Sequence, residues 1–227
     1  MRPFKGRHKE RESGTTPGNN VRFPGYDVLG QTPVWDETTK RVVMSRLDPP
    51  GSCHFFTEAE EATARALCDR YLAQDEDPRV PVVETIDGRL AAREFDGYRY
   101  EGLPSDDETW RIALHFLDED AKGRFASPFN ELDKDRQNEL IAAVQQADEW
   151  HGLNAGHVWN VWSRYILPAF YSHPWAWNEI GFGGPAYPRG YKNRSADGLE
   201  SWEEREAHPR DPLPWGEYIE RVKGHDE

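Results

Sequence analysis

Metal or acid–base chemistry would have to start from histidines and carboxylates. The densest group in this 227-residue chain lies around His151 and His157, which flank Gly152-Leu153-Asn154-Ala155-Gly156, with Glu149 just upstream and His173 further on. Two metal ligands share one face of a helix when they stand three or four residues apart. A six-residue spacing across two glycines does not achieve this. The spacing predicts ordinary, partly exposed histidines, with a stand-alone helical metal-binding protein or enzyme using His151 and His157 as the alternative. Cys53-His54 has its next cysteine only at Cys68, too far for a zinc knuckle. The carboxylate runs Asp106-Asp107-Glu108, Asp118-Glu119-Asp120 and Glu203-Glu204 suit helix first turns and solvated faces better than acid–base pairs. G-x-S-x-G, H-E-x-x-H and G-x-G-x-x-G do not occur in the sequence. No catalytic, cofactor-binding or metal-ligating residue is therefore assigned.

The stretch from Pro168 to Tyr191 offers binding rather than catalysis. It is aromatic and punctuated by Gly and Pro, so it cannot form a long helix. Trp175, Trp177, Phe182, Tyr187 and Tyr191 are candidate partner-binding rings. Such rings supply large area at low side-chain entropy, and Pro174, Pro185 and Pro188 limit the freedom lost on docking. Capping of the chain's own core by the same rings is the competing expectation.

Composition narrows the classes. The formal net charge is −13, which argues against a nucleic-acid binder and against docking on anionic lipid. An acidic surface would instead steer a basic partner such as a cytochrome. No long uncharged apolar run is present, so no membrane span is expected. Two cysteines make no disulfide scaffold and suit buried free thiols in a reducing compartment. Together with the lack of an apolar stretch after the basic start of the chain, this predicts a cytoplasmic location.

The elements that must hold the rings read as helices. Thr57 to Glu60 is a capping box, followed by an apolar stripe through Ala64, Leu67, Cys68, Tyr71 and Leu72. Val82 to Ala92 reads as a short helix behind Pro81. Ser105 to Glu108 is a second capping box, with Trp110, Ala113, Leu114, Leu117 and Ala121 as its stripe. Asp133 can cap a third long helix carrying Leu140, Ile141, Val144 and Ala147. The most apolar stripe is Val158, Val161, Trp162, Tyr165, Ile166 and Ala169, which Pro168 should kink or end. The fold class is mainly α, an irregular helical bundle. Its parts are a disordered basic tail over 1–20, an extended arm over 21–52, a helical domain over 53–191 and a charged extension over 192–227. Within the arm, Val34-Trp35 and Arg41 to Met44 are expected as the strands of a small hairpin. A terminal helix is expected around Trp215, Tyr218, Ile219 and Val222.

The order of these signals resembles the small subunit, or subunit 3, of the gluconate 2-dehydrogenase type. The resemblance rests on Phe55-Phe56-Thr57 with Glu60, on Phe125 and the helix around Leu140 to Val144, and above all on the ending. There, His173-Pro174 is followed by Trp177, Ile180-Gly181-Phe182 and Gly184. The resemblance implies a helical accessory subunit without a cofactor of its own. It implies a partner of the glucose–methanol–choline oxidoreductase type that carries FAD, oxidises a sugar, sugar acid or other alcohol, and passes electrons to a cytochrome or quinone. Two departures stand out. The family's D-P-x-x-G-G-N-like element is reduced to His173-Pro174-Trp175-Ala176-Trp177-Asn178, and no twin-arginine pair opens the chain, so export would rely on a signal carried by the partner.

Overall fold

The computed structural model describes residues 22–47, 51–95, 102–192, 199–200 and 202–206. The expected tail over 1–20, most of the 192–227 extension and the helix around Trp215 lie outside the described residues. The body consists of α2 (Glu58–Tyr71), α3 (Val82–Ala91), α4 (Asp106–Phe125), α5 (Lys134–Gln146) and α6 (Ala155–Tyr171). Ahead of it come a 3-10 helix, Val28–Val34, and α1 (Glu37–Ser45); after it comes the short α7 (Pro174–Ile180). The protein is mainly helical, and its one sheet among the described residues is a two-stranded hairpin, β1 (Glu149–Trp150) and β2 (Leu153–Asn154).

Local chemistry starts the helices. At α2, Glu60 Oε2 accepts from the Thr57 amide at 2.8 Å while Thr57 Oγ1 accepts from the Glu60 amide at 3.3 Å. Ser105 and Glu108 repeat the box at α4, and Asp133 Oδ1 caps α5 through the Arg136 amide at 2.9 Å. Each cap satisfies donors that a helix start otherwise leaves orphaned. The predicted stripes then meet in one core, in which Leu67, Trp110, Leu117, Phe129, Val161, Trp162 and Tyr165 are fully buried. Cys68 belongs to that core and Cys53 lies at its edge; both thiols are free. Burial pushes the Cys53 thiol up to about 12, helped by the nearby Asp87 and Glu61 charges.

Buried carboxylates tie the layers together. Asp87 in α3 accepts from the amides of His54, Phe55 and Phe56 at 2.6, 2.9 and 2.8 Å, which pins the approach to α2. Asp106 is buried rather than solvated, and its carboxylate takes the Tyr165 hydroxyl at 2.9 Å and an Arg164 guanidinium N–H. This corrects the expectation of a simple first-turn charge at that position. The reason is long-range: α6 brings an opposite charge and a phenol to it.

Two further expectations are corrected, both in the arm; Pro168, for its part, stands in the last turn of α6, which ends at Tyr171. The lost donor falls in the last turn, where little helix remains to be broken. The arm is not extended, and Val34-Trp35 with Arg41 to Met44 form no hairpin, because Asp36 caps a helix there. Its Oδ1 accepts from the Thr39 amide at 2.8 Å, and α1 buries Val43. The hairpin that does form places His151 at φ +50 and Gly152 at +77 between Trp150 and Leu153. Two central residues at positive φ are the pattern of a type I′ turn, whose twist matches that of paired strands. Among the described residues, no helix is long and apolar enough to cross a membrane.

Candidate partner-binding surface

The aromatic stretch organises around α7. His173 Nδ1 accepts from the Trp175 amide at 3.2 Å, Pro174 occupies the first turn, and Gly181 ends the helix in the left-handed conformation. Trp177 turns inward. It is 5% exposed and packs with Val28, Trp35 and Val43 in a second, smaller core. Its Nε1–H donates to the Tyr171 carbonyl at 2.6 Å, and the Arg46 guanidinium lies over its ring, 5.6 Å from the centroid. Asn178 Oδ1 accepts from the Val28 amide at 2.8 Å, and Arg46 Nη1 donates to the Ser172 carbonyl at 2.9 Å. The arm is thus fastened to the end of the body by rings and by polar bonds.

The glycines after α7 make this fastening feasible. A Cβ on Gly184 would stand 2.6 Å from Cζ2 of Trp35, and one on Gly183 would stand 2.5 Å from Cε3 of Trp202. At Gly181 a Cβ would collide with the Phe23 ring. The backbone between Gly181 and Gly184 is therefore a seat for rings from both ends of the described chain. Arg189 closes it: its guanidinium lies over Trp202, 3.8 Å from the ring centroid, and donates to Gln31 Oε1 at 2.8 Å and to the Gly183 and Pro185 carbonyls at 3.2 Å. Burial lowers the Arg189 pKa. Tyr26 donates to the Phe182 carbonyl at 3.3 Å. Its phenol is raised to about 12, chiefly by burial.

The five candidate rings separate by environment. Tyr187 and Tyr191 are exposed, at 65% and 53%, with one side of the Tyr191 ring against Trp202 at 5.2 Å between centroids, and Phe182 is on the border at 36%. Trp175 is half-buried against the main core. Trp177 cannot be a surface anchor, and this corrects the sequence expectation: its burial is met by the arm, not left open for a second chain. Several apolar side chains not among the five candidate rings are also exposed: Val34, Val42, Leu167, Tyr171, Ile180 and Leu199. Leu167 and Tyr171 fall outside the buried stripe of α6, and that offset was a readable signal. Among the described residues, every large exposed apolar side chain lies either in the arm, at the end of α6, or in and after α7. The outer faces of α2 to α5 show none.

The histidines are engaged separately. His151 Nε2 lies 2.8 Å from Asp120 Oδ1 and its ring stacks on Phe116, with centroids 4.3 Å apart. His157 Nε2 lies 3.2 Å from Thr109 Oγ1. Among the described residues, no group of three or more His, Cys, Asp or Glu is placed to hold a metal ion.

The family Gluconate 2-dehydrogenase subunit 3 matches residues 58–184, more than half of the chain, and the chain belongs to that family. The match opens on the first residue of α2 and closes on Gly184. The arm and Trp202, which fill the glycine seat, therefore lie outside the matched residues. No curated protein and no solved structure matches the chain.

Proposed function

We propose that this chain is a non-catalytic small subunit that binds and stabilises an FAD-dependent oxidoreductase chain of the glucose–methanol–choline type. In that complex the partner holds the FAD and the substrate pocket and oxidises a sugar, sugar acid or other alcohol. Electrons then pass to a cytochrome or quinone acceptor. The observation that supports this reading is where the large exposed apolar side chains fall among the described residues: Tyr187, Tyr191, Tyr171, Leu167 and Ile180 lie at the end of α6 and in and after α7, and α7 packs on α6 and on the arm. Exposed apolar surface gathered in one region marks an interaction site, and Tyr is enriched where interfaces are anchored. Membership of a family named for a dehydrogenase subunit supports the class of partner.

Co-expression with a flavoprotein of that type tests the proposal. The two chains should elute together in size-exclusion chromatography, with flavin absorbance under the shared peak, and the flavoprotein should melt at a higher temperature in the complex. Separate elution, with an unchanged flavoprotein melting temperature, refutes it.

A further inference from the structure

A second aromatic feature runs through the body, away from α7. Tyr71 at the end of α2 lies 5.0 Å, centroid to centroid, from Trp159 of α6. Trp159 lies 6.4 Å from Trp162, and Trp162 lies 6.2 Å from Trp150 of β1. These are ordinary packing distances for aromatic pairs. The order of residue types is less ordinary, because every member is a Tyr or Trp, the side chains that give up one electron most readily.

The polar surroundings differ along the row. At one end, Trp150 Nε1–H donates to Asp120 Oδ2 at 2.8 Å. At the other, the Tyr71 hydroxyl lies 2.6 Å from Ser163 Oγ, whose own hydroxyl donates to the Trp159 carbonyl at 2.7 Å, so that Tyr71 is the donor. In the middle, Trp162 is fully buried and its Nε1–H meets no hydrogen-bond acceptor among the described residues. The indole N–H groups of Trp35 and Trp110 are left the same way, so what distinguishes Trp162 is its place in the middle of the row.

An oxidised indole or phenol becomes strongly acidic, so the fate of its proton decides where the electron vacancy rests. At Trp150 a carboxylate is in place to take the proton. Trp162 offers no acceptor, so a vacancy there stays a radical cation and moves on. We propose that Tyr71, Trp159, Trp162 and Trp150 form an internal electron-transfer path between the hairpin and the far end of α2, with Asp120 as the proton acceptor at the hairpin. A one-electron oxidant, an oxygen- or nitrogen-centred radical, takes an electron from Trp150 and becomes its anion, and the indole proton passes to Asp120. Trp162 then supplies an electron to Trp150, which recovers its proton from Asp120. Trp159 refills Trp162, and Tyr71 refills Trp159 while releasing its phenolic proton to water. A soluble thiol returns one hydrogen atom to the Tyr71 radical and is left as a thiyl radical. The net change is one electron from thiol to oxidant and one proton to water, with the polypeptide restored. The path does not depend on the identity of the partner subunit.

Pulse radiolysis of the full chain in azide solution tests this, because the azidyl radical oxidises tryptophan selectively. The tryptophan radical absorbance should convert to that of a tyrosine radical in a first-order step whose rate does not change with protein concentration. Trp162→Phe should slow that step by about tenfold or more, since it removes the central carrier. Trp35→Phe, in the separate arm cluster, should leave it unchanged. An unaltered rate in Trp162→Phe, or a rate proportional to protein concentration, overturns the proposal. Should Trp162→Phe fail to fold, Tyr71→Phe reads the same path: the tyrosine radical yield should fall, and an undiminished yield overturns it.

Discussion

Replacing Gly184 by alanine probes whether the 181–184 backbone is kept bare to receive the arm. The perturbation has two parts. Gly184 sits at φ +76, where an L side chain costs about 1–2 kcal/mol. The added methyl would also stand 2.6 Å from Trp35 Cζ2 and 3.1 Å from Val28 Cγ2. Both side chains are buried, so neither can yield without unpacking, and overpacking of this kind costs about 1–3 kcal/mol. The two parts together give about 2–5 kcal/mol. Gly190 is the control: its φ is +69, but no atom lies within 4 Å of its Cβ position, so Gly190→Ala carries only the backbone part. The arm cluster is separate from the main core, so the loss should be local. Native-state hydrogen exchange reads it at the Val28 amide, whose 2.8 Å bond to Asn178 Oδ1 joins arm to α7. At 1.4 kcal/mol per factor of ten, exchange there should accelerate by about 30-fold to several thousand-fold, with the amides of Leu117 and Val161 unmoved. The reasoning is refuted if Gly184→Ala and Gly190→Ala accelerate Val28 equally, or if the core amides accelerate in step.

Four other outcomes are expected. Asp87→Asn should lower global stability in urea unfolding by about 2–3 kcal/mol, because three backbone donors lose a charged acceptor; a change below about 0.5 kcal/mol would count against that role. Trp177→Ala should act as a core truncation, costing the arm cluster about 3–5 kcal/mol. By contrast, Tyr187→Ala combined with Tyr191→Ala should leave the melting temperature in place while weakening association with the flavoprotein by about 2 kcal/mol, roughly 30-fold in Kd. A Trp177 variant of unchanged stability would reverse that assignment. Finally, burial raises the Tyr26 phenol from 10.0 to about 12, with Arg189 opposing and Glu204, Asp27 and Glu203 adding. The folded state favours the neutral phenol, so this contribution is whole below pH 10 and lost as pH rises through about 12. Tyr26→Phe should therefore lessen the fall in melting temperature across that window, and superimposable pH profiles for the two proteins would contradict it.

The helices of the body were legible because their signals are local. Thr57 with Glu60, Ser105 with Glu108 and the lone Asp133 sit three residues or fewer from the amides they satisfy, and each apolar stripe needs only its own helix to be recognised. The same logic applied to Asp36, but the β-branched Val34, Val42 and Val43 around it favoured a strand reading. The cap at Asp36 prevailed because α1 could bury Val43 against Trp177, a residue more than a hundred positions away. That distance also explains the candidate site. Composition alone marked residues 168–191 as a region of rings, proline and glycine, and the family resemblance named the kind of partner. Which rings face outward was decided in space. Phe23, Trp35 and Trp202 close over Gly181, Gly184 and Gly183, and Val28, Trp35 and Val43 cover Trp177, while Tyr187 and Tyr191 stay exposed. Helix starts are set by atoms within one turn of the chain, whereas the exposure of a ring depends on which distant segment arrives to cover it.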